Sequence, residues 1–190
     1  MVTRSAPNEP AAPIEEWWGG DELADPANVL KNTIYALRKT FPACPPKENP
    51  ILFEQGGYIC NPFIQFEVDT EQFEADLEKA AIRQGAEKIF LLKKASAAYK
   101  GDLLPQLGHE PWVVSRAIYL KKLYNECMAT LTEMLYQEER YSEVLEAATI
   151  ASRIDPLEEV FYLYTFRSLF ALTMYSIVVP VYKNTATIFS

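Results

Sequence analysis

The amino-acid sequence predicts a mainly α-helical chain with one short β-hairpin near its N-terminal end. An amphipathic helix pattern at residues 28–40 precedes a glycine-centred hairpin pattern at residues 51–60. Nine of the 13 prolines precede residue 63, and the remaining sequence repeats helical patterns separated by short turns. A helix followed by a hairpin is the order of a partial winged helix-turn-helix, and paired helices are typical of an all-helical tetratricopeptide-like domain.

The first helix is predicted from the spacing of its apolar side chains. Pro26 is a start signal and Pro42 an end signal. Four large apolar residues at helical spacing form one stripe: Leu30, Ile34, Leu37 and Phe41. Residues 28–47 contain four basic residues and no Asp or Glu, in a chain of formal net charge −8. The helix therefore has a basic outer surface.

The polar side of this helix fits a DNA major groove. Arg and Lys bind guanine or phosphate, and Asn binds adenine. The residues predicted to contact DNA are Asn28, Lys31, Asn32, Tyr35, Arg38 and Lys39. The alternative is an ordinary surface helix with solvated charges.

A tight hairpin is predicted directly after the helix. Ile51 to Phe53 form one strand, Gln55, Gly56 and Gly57 turn, and Tyr58 to Cys60 return. The paired glycines supply the positive φ that such turns need. In a winged helix this hairpin would touch the DNA backbone, through Gln55, Gly56, Gly57 and Tyr58.

Composition excludes several classes of function. A net charge of −8 argues against a dedicated electrostatic nucleic-acid binder, so DNA binding would come from a local patch and be salt-sensitive. Three separated cysteines without a CxxC and the single His109 suggest neither a disulfide framework nor a zinc site. No GxSxG, phosphate-binding glycine loop or metal cluster is recognisable, which predicts a non-enzyme without a cofactor.

The two ends of the sequence bear on whether the protein is secreted, cytoplasmic or inserted in a membrane. Residues 1–13 lack a secretory apolar core and predict a disordered tail, and a cytoplasmic chain with reduced thiols is expected. Residues 160–182 are long enough to span a bilayer, but Arg167 lies inside them. Because a central Arg costs about 2.5–3.5 kcal/mol on insertion, two buried helices of a bundle are favoured over a membrane span.

The region after the hairpin predicts successive helices. Residues 63–68 suggest a short extended piece, Asp69 or Thr70 caps a helix that ends before Gly85, and helices are expected at 86–98, 112–137, 142–153, 157–172 and up to 189. Asp155, Pro156 and Glu158 predict the start of the 157–172 helix. Tyr141 and Tyr175 lie 34 residues apart, the tetratricopeptide period, although Pro180 is expected to shorten or kink the last helix.

The helix expected at 157–172 is rich in aromatic residues. Five rings are too many for a single buried stripe: Phe161, Tyr162, Tyr164, Phe166 and Phe170. Some are expected to be exposed or covered by a partner. The pattern favours a protein-binding groove or dimer surface over simple core packing.

In this order of elements the chain resembles bacterial transcription regulators of the SARP type. The likeness rests on DPANVLKNTIYALRK and ILFEQGGYICNP in the winged helix, and on YKGDLLP, PWVVSRAIYLKKLY, RYSEVLEAA and RIDPLEEVFYLYTFRSLFAL in a bacterial transcriptional activator domain. It covers about residues 17–190. The most specific element is the Tyr99–Pro105 run, with Trp112, Arg116 and Tyr124 at family-like distances.

The resemblance implies a DNA-binding transcription regulator. It implies a partial winged helix over 14–62, with the 28–40 helix as recognition helix, and a helical activator domain over 63–190. The implied partners are double-stranded DNA, RNA polymerase or a regulatory protein, and a second copy of the chain, with no membrane. Too few residues precede the first helix to complete the winged-helix core, and the activator domain is expected to be truncated. The alternative is a helical protein-interaction module that has lost autonomous DNA binding.

Overall fold

The computed structural model describes residues 25–40, 49–54, 56–64 and 67–189. The chain divides into two compact units, Met1–Phe66 and Glu67–Ser190. The described residues are mainly helical, with a two-stranded antiparallel hairpin ahead of a helical unit. The predicted fold class is therefore confirmed.

The first unit contains helix α1 (Pro26–Lys39) and strands β1 (Ile51–Glu54) and β2 (Gly57–Cys60). Helix α1 begins at Pro26, two residues before the predicted 28–40 pattern. Proline has no N–H and fits the first turn of a helix, and Asp25 Oδ1 accepts the Asn28 N–H at 3.0 Å. In the apolar stripe, Leu30 and Ile34 are half-buried and Leu37 is exposed. Phe41, the fourth member of the stripe, lies outside the described residues.

The second unit is a succession of helices in which each packs on the next. They are α2 (Asp69–Ala81), α3 (Gly85–Ala98), α4 (Pro111–Gln137), α5 (Tyr141–Ile154), α6 (Glu159–Ala171) and α7 (Tyr175–Ile188), with a 3-10 turn at Pro105–Leu107. Helix α4 also contacts α6. Helices α2 to α6 all contribute to the core. Its largest fully buried side chains include Phe73, Leu120, Tyr124, Leu131, Leu135 and Phe161.

The 34-residue period is visible in the backbone. Tyr141 and Tyr175 are the first residues of α5 and α7. The turn before each helix places a non-glycine residue in the left-handed region, Glu139 at φ 58° and Thr173 at φ 57°. Corresponding hydrogen bonds close the two turns: the Arg140 N–H donates to Leu135 O at 3.0 Å, and the Met174 N–H to Leu169 O at 2.9 Å. Helices α4 to α7 thus form two structurally related pairs.

The predicted helix start at Asp155 is wrong. Helix α6 begins at Glu159, and Asp155 follows the last residue of α5. Its carboxylate accepts a hydrogen bond from Asn125 Nδ2 at 2.6 Å and lies 3.1 Å from Lys121 Nζ. These contacts attach the α5–α6 turn to α4, and the N-cap of α6 is Glu158, which makes no side-chain capping hydrogen bond.

Three further expectations are settled by the described residues. Residues 63, 64, 67 and 68 form no strand, and α7 continues through Pro180 to Ile188, so the proline does not shorten it. The 160–182 segment is divided between α6 and α7 by the turn at 172–174. Among the residues that the structure describes, no helix has the length and apolar character that crossing a membrane requires.

Candidate functional site

The polar surface of α1 is the candidate nucleic-acid interface. At about 100° per residue, five of the six predicted contact residues fall within an arc of about 100°. All five are exposed, and together they are called the recognition face: Asn28, Lys31, Asn32, Tyr35 and Lys39. Lys39 Nζ lies 4.4 Å from the centre of the Tyr35 ring, a cation–π contact between two neighbours on this face.

Arg38, the sixth predicted residue, has a different environment. It is half-buried at the edge of the recognition face, and its guanidinium donates two hydrogen bonds to the backbone oxygen of Ile51, from Nε at 3.1 Å and from Nη2 at 2.7 Å. The side chain therefore joins α1 to β1. Direct contact of Arg38 with DNA stays a prediction, and the described geometry gives it a positioning role.

The hairpin has the predicted position and a shorter turn. Ile51 pairs with Cys60 and Glu54 with Gly57, so Gly57 belongs to β2 and is not part of the turn. Gly56 has φ +85°, a conformation that a side chain would strain. Tyr58 is half-buried, with its ring centre 5.0 Å from that of Phe53. Gln55 lies outside the described residues.

Asn61 fastens the end of the hairpin. Its side chain is buried, and Nδ2 donates to Asn49 O at 2.9 Å while Oδ1 accepts the Phe63 N–H at 3.0 Å. The strands are thereby closed at the end opposite the turn. Sequence reasoning missed this residue, because a lone asparagine after a strand is also common in exposed turns.

The Tyr99–Pro105 run of the helical unit is structural. Tyr99 stacks on Tyr124 with ring centres 4.4 Å apart, and Phe73 lies 5.6 Å from Tyr99. Burial raises the pKa of Tyr124 to about 12, which keeps its hydroxyl neutral. Gly101 has φ +120°, which only glycine adopts without strain. The run therefore covers the core between α2 and α4.

The groups that could carry chemistry are few. Cys127 is buried, its Sγ donates to Leu92 O at 3.5 Å, and burial raises the pKa of its thiol to about 12. Such a thiol is a poor nucleophile. His109 is exposed beside Glu110. Within residues 25–40, 49–54, 56–64 and 67–189, no three His, Cys, Asp or Glu side chains are grouped so that they could hold a metal ion.

The sequence patterns also did not predict the charged contacts between helices. Asp76 of α2 is buried, and Lys94 of α3 lies 2.9 Å from its Oδ2. Arg116 of α4 pairs with Glu74 of α2, and Lys93 of α3 pairs with Glu143 of α5. These partners are 18 to 50 residues apart, and a local pattern search cannot pair charges over such separations.

Comparison with known proteins identifies the helical unit. The family model described as bacterial transcriptional activator domain matches residues 68–188, more than half of the chain. The match begins one residue before α2 and ends at the last residue of α7. No curated protein matches the sequence.

Proposed function

Because the chain belongs to the bacterial transcriptional activator domain family, a family of transcription regulators, we propose that it is a regulator of the SARP type that binds DNA through α1 and the hairpin. The helical unit is the activator-type module. DNA binding, the winged-helix character of the first unit and the cytoplasmic location belong to the proposal.

The recognition face carries this proposal. From Asn28 to Lys39 it extends over about 16 Å at 1.5 Å per residue, which corresponds to about five base pairs. Its side chains are two lysines, two asparagines and one tyrosine, without a carboxylate among them. Lysine binds phosphate or guanine, and asparagine can pair with adenine. The face therefore has the dimensions and the chemistry of a major-groove reader.

Arg38 supports the proposal by connecting the hairpin to helix α1. In a winged helix, the hairpin must be held at a fixed position beside the recognition helix. The two hydrogen bonds from Arg38 to Ile51 O make that connection. Gly56 then lies at the tip of the hairpin, where the absence of a side chain permits close approach to a phosphate backbone.

The test is fluorescence-anisotropy binding to a pool of random duplexes at low and moderate salt. We expect Lys31→Ala/Lys39→Ala to remove measurable binding at moderate salt. At low salt, the slope of log K against log salt should fall by about 2, one for each phosphate left without its lysine.

The matched control is Lys122→Ala/Lys183→Ala, which removes the same charge from the helical unit. Both of these lysines are exposed, so their replacement leaves the fold intact. This control should bind as the unmodified chain does. Equal binding by the two double variants would overturn the recognition face as the DNA contact.

The second candidate function is a protein-interaction module that does not bind DNA alone. One observation favours it: no described residue of α1 is fully buried, and Leu37 is exposed on the apolar stripe. A folded, helical chain that fails to bind any duplex even at low salt would support this alternative.

A further inference from the structure

Asn28 and Asn32 lie near the centre of the recognition face of α1. They are four residues apart, so their positions differ by about 6 Å along the helix axis and by about 40° around it. Both residues are exposed. The hydrogen bond from Asn28 to Asp25 comes from the backbone N–H, so the cap of α1 does not use the amide side chain. The helix therefore presents two neighbouring carboxamides on the same side.

The lysines of the recognition face lie around this pair. Lys31 is about 60° from Asn28 around the helix axis, at the border of the face. Lys39 belongs to the last turn of α1, and its ammonium contacts the ring of Tyr35. In a major groove, the N-terminal turns of a recognition helix meet the base edges, whereas phosphates flank the groove. The positions of the lysines therefore fit phosphate contacts, and those of the asparagines fit base contacts.

We propose that Asn28 and Asn32 read two adenines in the major groove, an inference that rests on the proposed DNA-binding function. A carboxamide matches the edge of adenine, because its Oδ1 accepts a hydrogen bond from N6 and its Nδ2 donates one to N7. Successive base pairs are about 3.4 Å apart along the duplex, so about 6 Å corresponds to about two steps. The ligand is a duplex with two A·T pairs that are adjacent or separated by one other pair.

The described contacts favour adenine over guanine as the base that α1 reads. Guanine presents two acceptors, N7 and O6, which arginine or lysine matches with paired donors. Helix α1 contains one arginine, Arg38, and its guanidinium already donates two hydrogen bonds to Ile51 O. The amides carry no charge and neutralise no phosphate, so their contribution is to sequence preference and not to nonspecific affinity.

The experiment selects the preferred duplexes of the full chain from a random pool. Bound duplexes are sequenced, and we expect enrichment of A·T pairs at two positions within about two base-pair steps. Asn28→Ala and Asn32→Ala should each lose the preference at one of these positions and bind the selected duplex about tenfold less tightly. Both variants should bind the unselected pool at low salt as the unmodified chain does, because neither alters a charge.

A base analogue then tests the proposed contact directly. In 7-deazaadenine, carbon replaces N7, which removes the hydrogen-bond acceptor and keeps Watson–Crick pairing. We expect the analogue, placed at each selected adenine in turn, to weaken binding of the unmodified chain. It should have no further effect on the variant that lacks the matching asparagine, because the two changes remove the same hydrogen bond.

The matched control is Thr33→Ala on the same helix. Thr33 is exposed, lies about 140° around the axis from Asn28, and donates its hydroxyl within α1 to Val29 O at 3.0 Å. This variant should select the same sequences with the same affinity as the unmodified chain. Circular dichroism should show undiminished helicity in all three variants, because alanine is the most favourable residue in a helix.

The outcomes separate this inference from the function on which it rests. Duplex binding without A·T enrichment, an unchanged preference in both asparagine variants, or equal weakening by Thr33→Ala would overturn adenine reading and leave DNA binding in place. Enrichment of G·C pairs that disappears in Lys31→Ala would also overturn it and assign the base contact to that lysine. Absence of binding to any duplex at low salt would overturn the proposed function and this inference together.

Discussion

Asp76 is a buried charge at the contact between α2 and α3. Lys94 Nζ lies 2.9 Å from Oδ2, and Lys79 Nζ lies 3.3 Å from Oδ1. Burial alone would raise the pKa of this carboxyl, but hydrogen bonds from Lys94, Gln72 and Lys79 outweigh it and hold the pKa below 3.8. The carboxylate therefore stays ionised in the folded state at neutral pH.

Asp76→Asn should lower the free energy of unfolding by about 2 kcal/mol, the value of hydrogen bonds to a charged group. Because the folded-state pKa is depressed, the contribution is fully present above about pH 3.8 and disappears as the pH falls through the folded-state value. Urea unfolding at pH 7 and at a low pH at which the folded-state carboxyl is protonated measures both effects. Glu78→Gln, at an exposed site on the same helix, is the control and should change little. A constant difference at both pH values would contradict the assignment.

At the residue scale, the sequence predicts types of contact better than actual partners. The exposed polar residues of α1 follow from periodicity, because nothing apolar competes for that side of the helix. Arg38 belongs to the same pattern, but its hydrogen bonds to Ile51 O depend on where the hairpin lies.

Truncating a buried tryptophan costs about 3–5 kcal/mol. Trp112 is 60% exposed, so Trp112→Ala should cost much less.

At the scale of elements, α4 and α6 end in the same hydrogen-bonded turn with an unfavourable residue. Thr173 and Glu139 have φ of 57° and 58°, in the position that glycine usually occupies after a helix. A β-branched residue in this conformation is strained by about 1–2 kcal/mol. Replacement by glycine removes the strain, but glycine also raises the entropy of the unfolded chain, which offsets part of the stabilisation. Thr173→Gly should therefore stabilise the chain by about 0.5–1 kcal/mol.

The matched comparison for this change is Glu139→Gly. Glutamate has the same backbone conformation without β-branching, so its replacement should give a smaller increase in melting temperature. Thermal unfolding followed by helical circular dichroism measures both. Destabilisation by Thr173→Gly would show that the threonine side chain makes a contact that outweighs its backbone strain.

The sequence predicts which segments form helices more accurately than it predicts the residues at which those helices begin and end. The 112–137 and 142–153 predictions agree within one residue with Pro111–Gln137 and Tyr141–Ile154, because glycine, proline and turn residues interrupt long periodic patterns. The predicted start of α6 lies two residues early, because Asp155 and Pro156 form a local cap pattern. The distant partners Asn125 and Lys121 bind that carboxylate instead, and no local pattern contains them.

At the scale of the whole molecule, the mainly helical class follows from periodicity, and the period of 34 residues predicts related helix pairs. What periodicity cannot supply is the packing of the last pair. Helices α5 and α7 occupy equivalent positions, yet α5 buries Val144, Ala147, Ala148 and Ala151, whereas no residue of α7 is buried. Alanines permit close approach of a neighbouring helix, and the bulkier α7 side chains face an open side.

This contrast predicts a gradient of stability through the helical unit. Both α5 and α7 contain 14 residues and follow equivalent turns, but α7 also contains Pro180, which removes one backbone hydrogen bond from that helix. In a helical repeat, stability comes from interfaces between neighbours, and helices with few buried contacts open at low free energy. Native-state hydrogen exchange should therefore show amides of α7 exchanging about a hundredfold or more faster than those of α5. Equal protection of the two helices would mean that aromatic pairs between α6 and α7 stabilise the last helix as well as a buried core does.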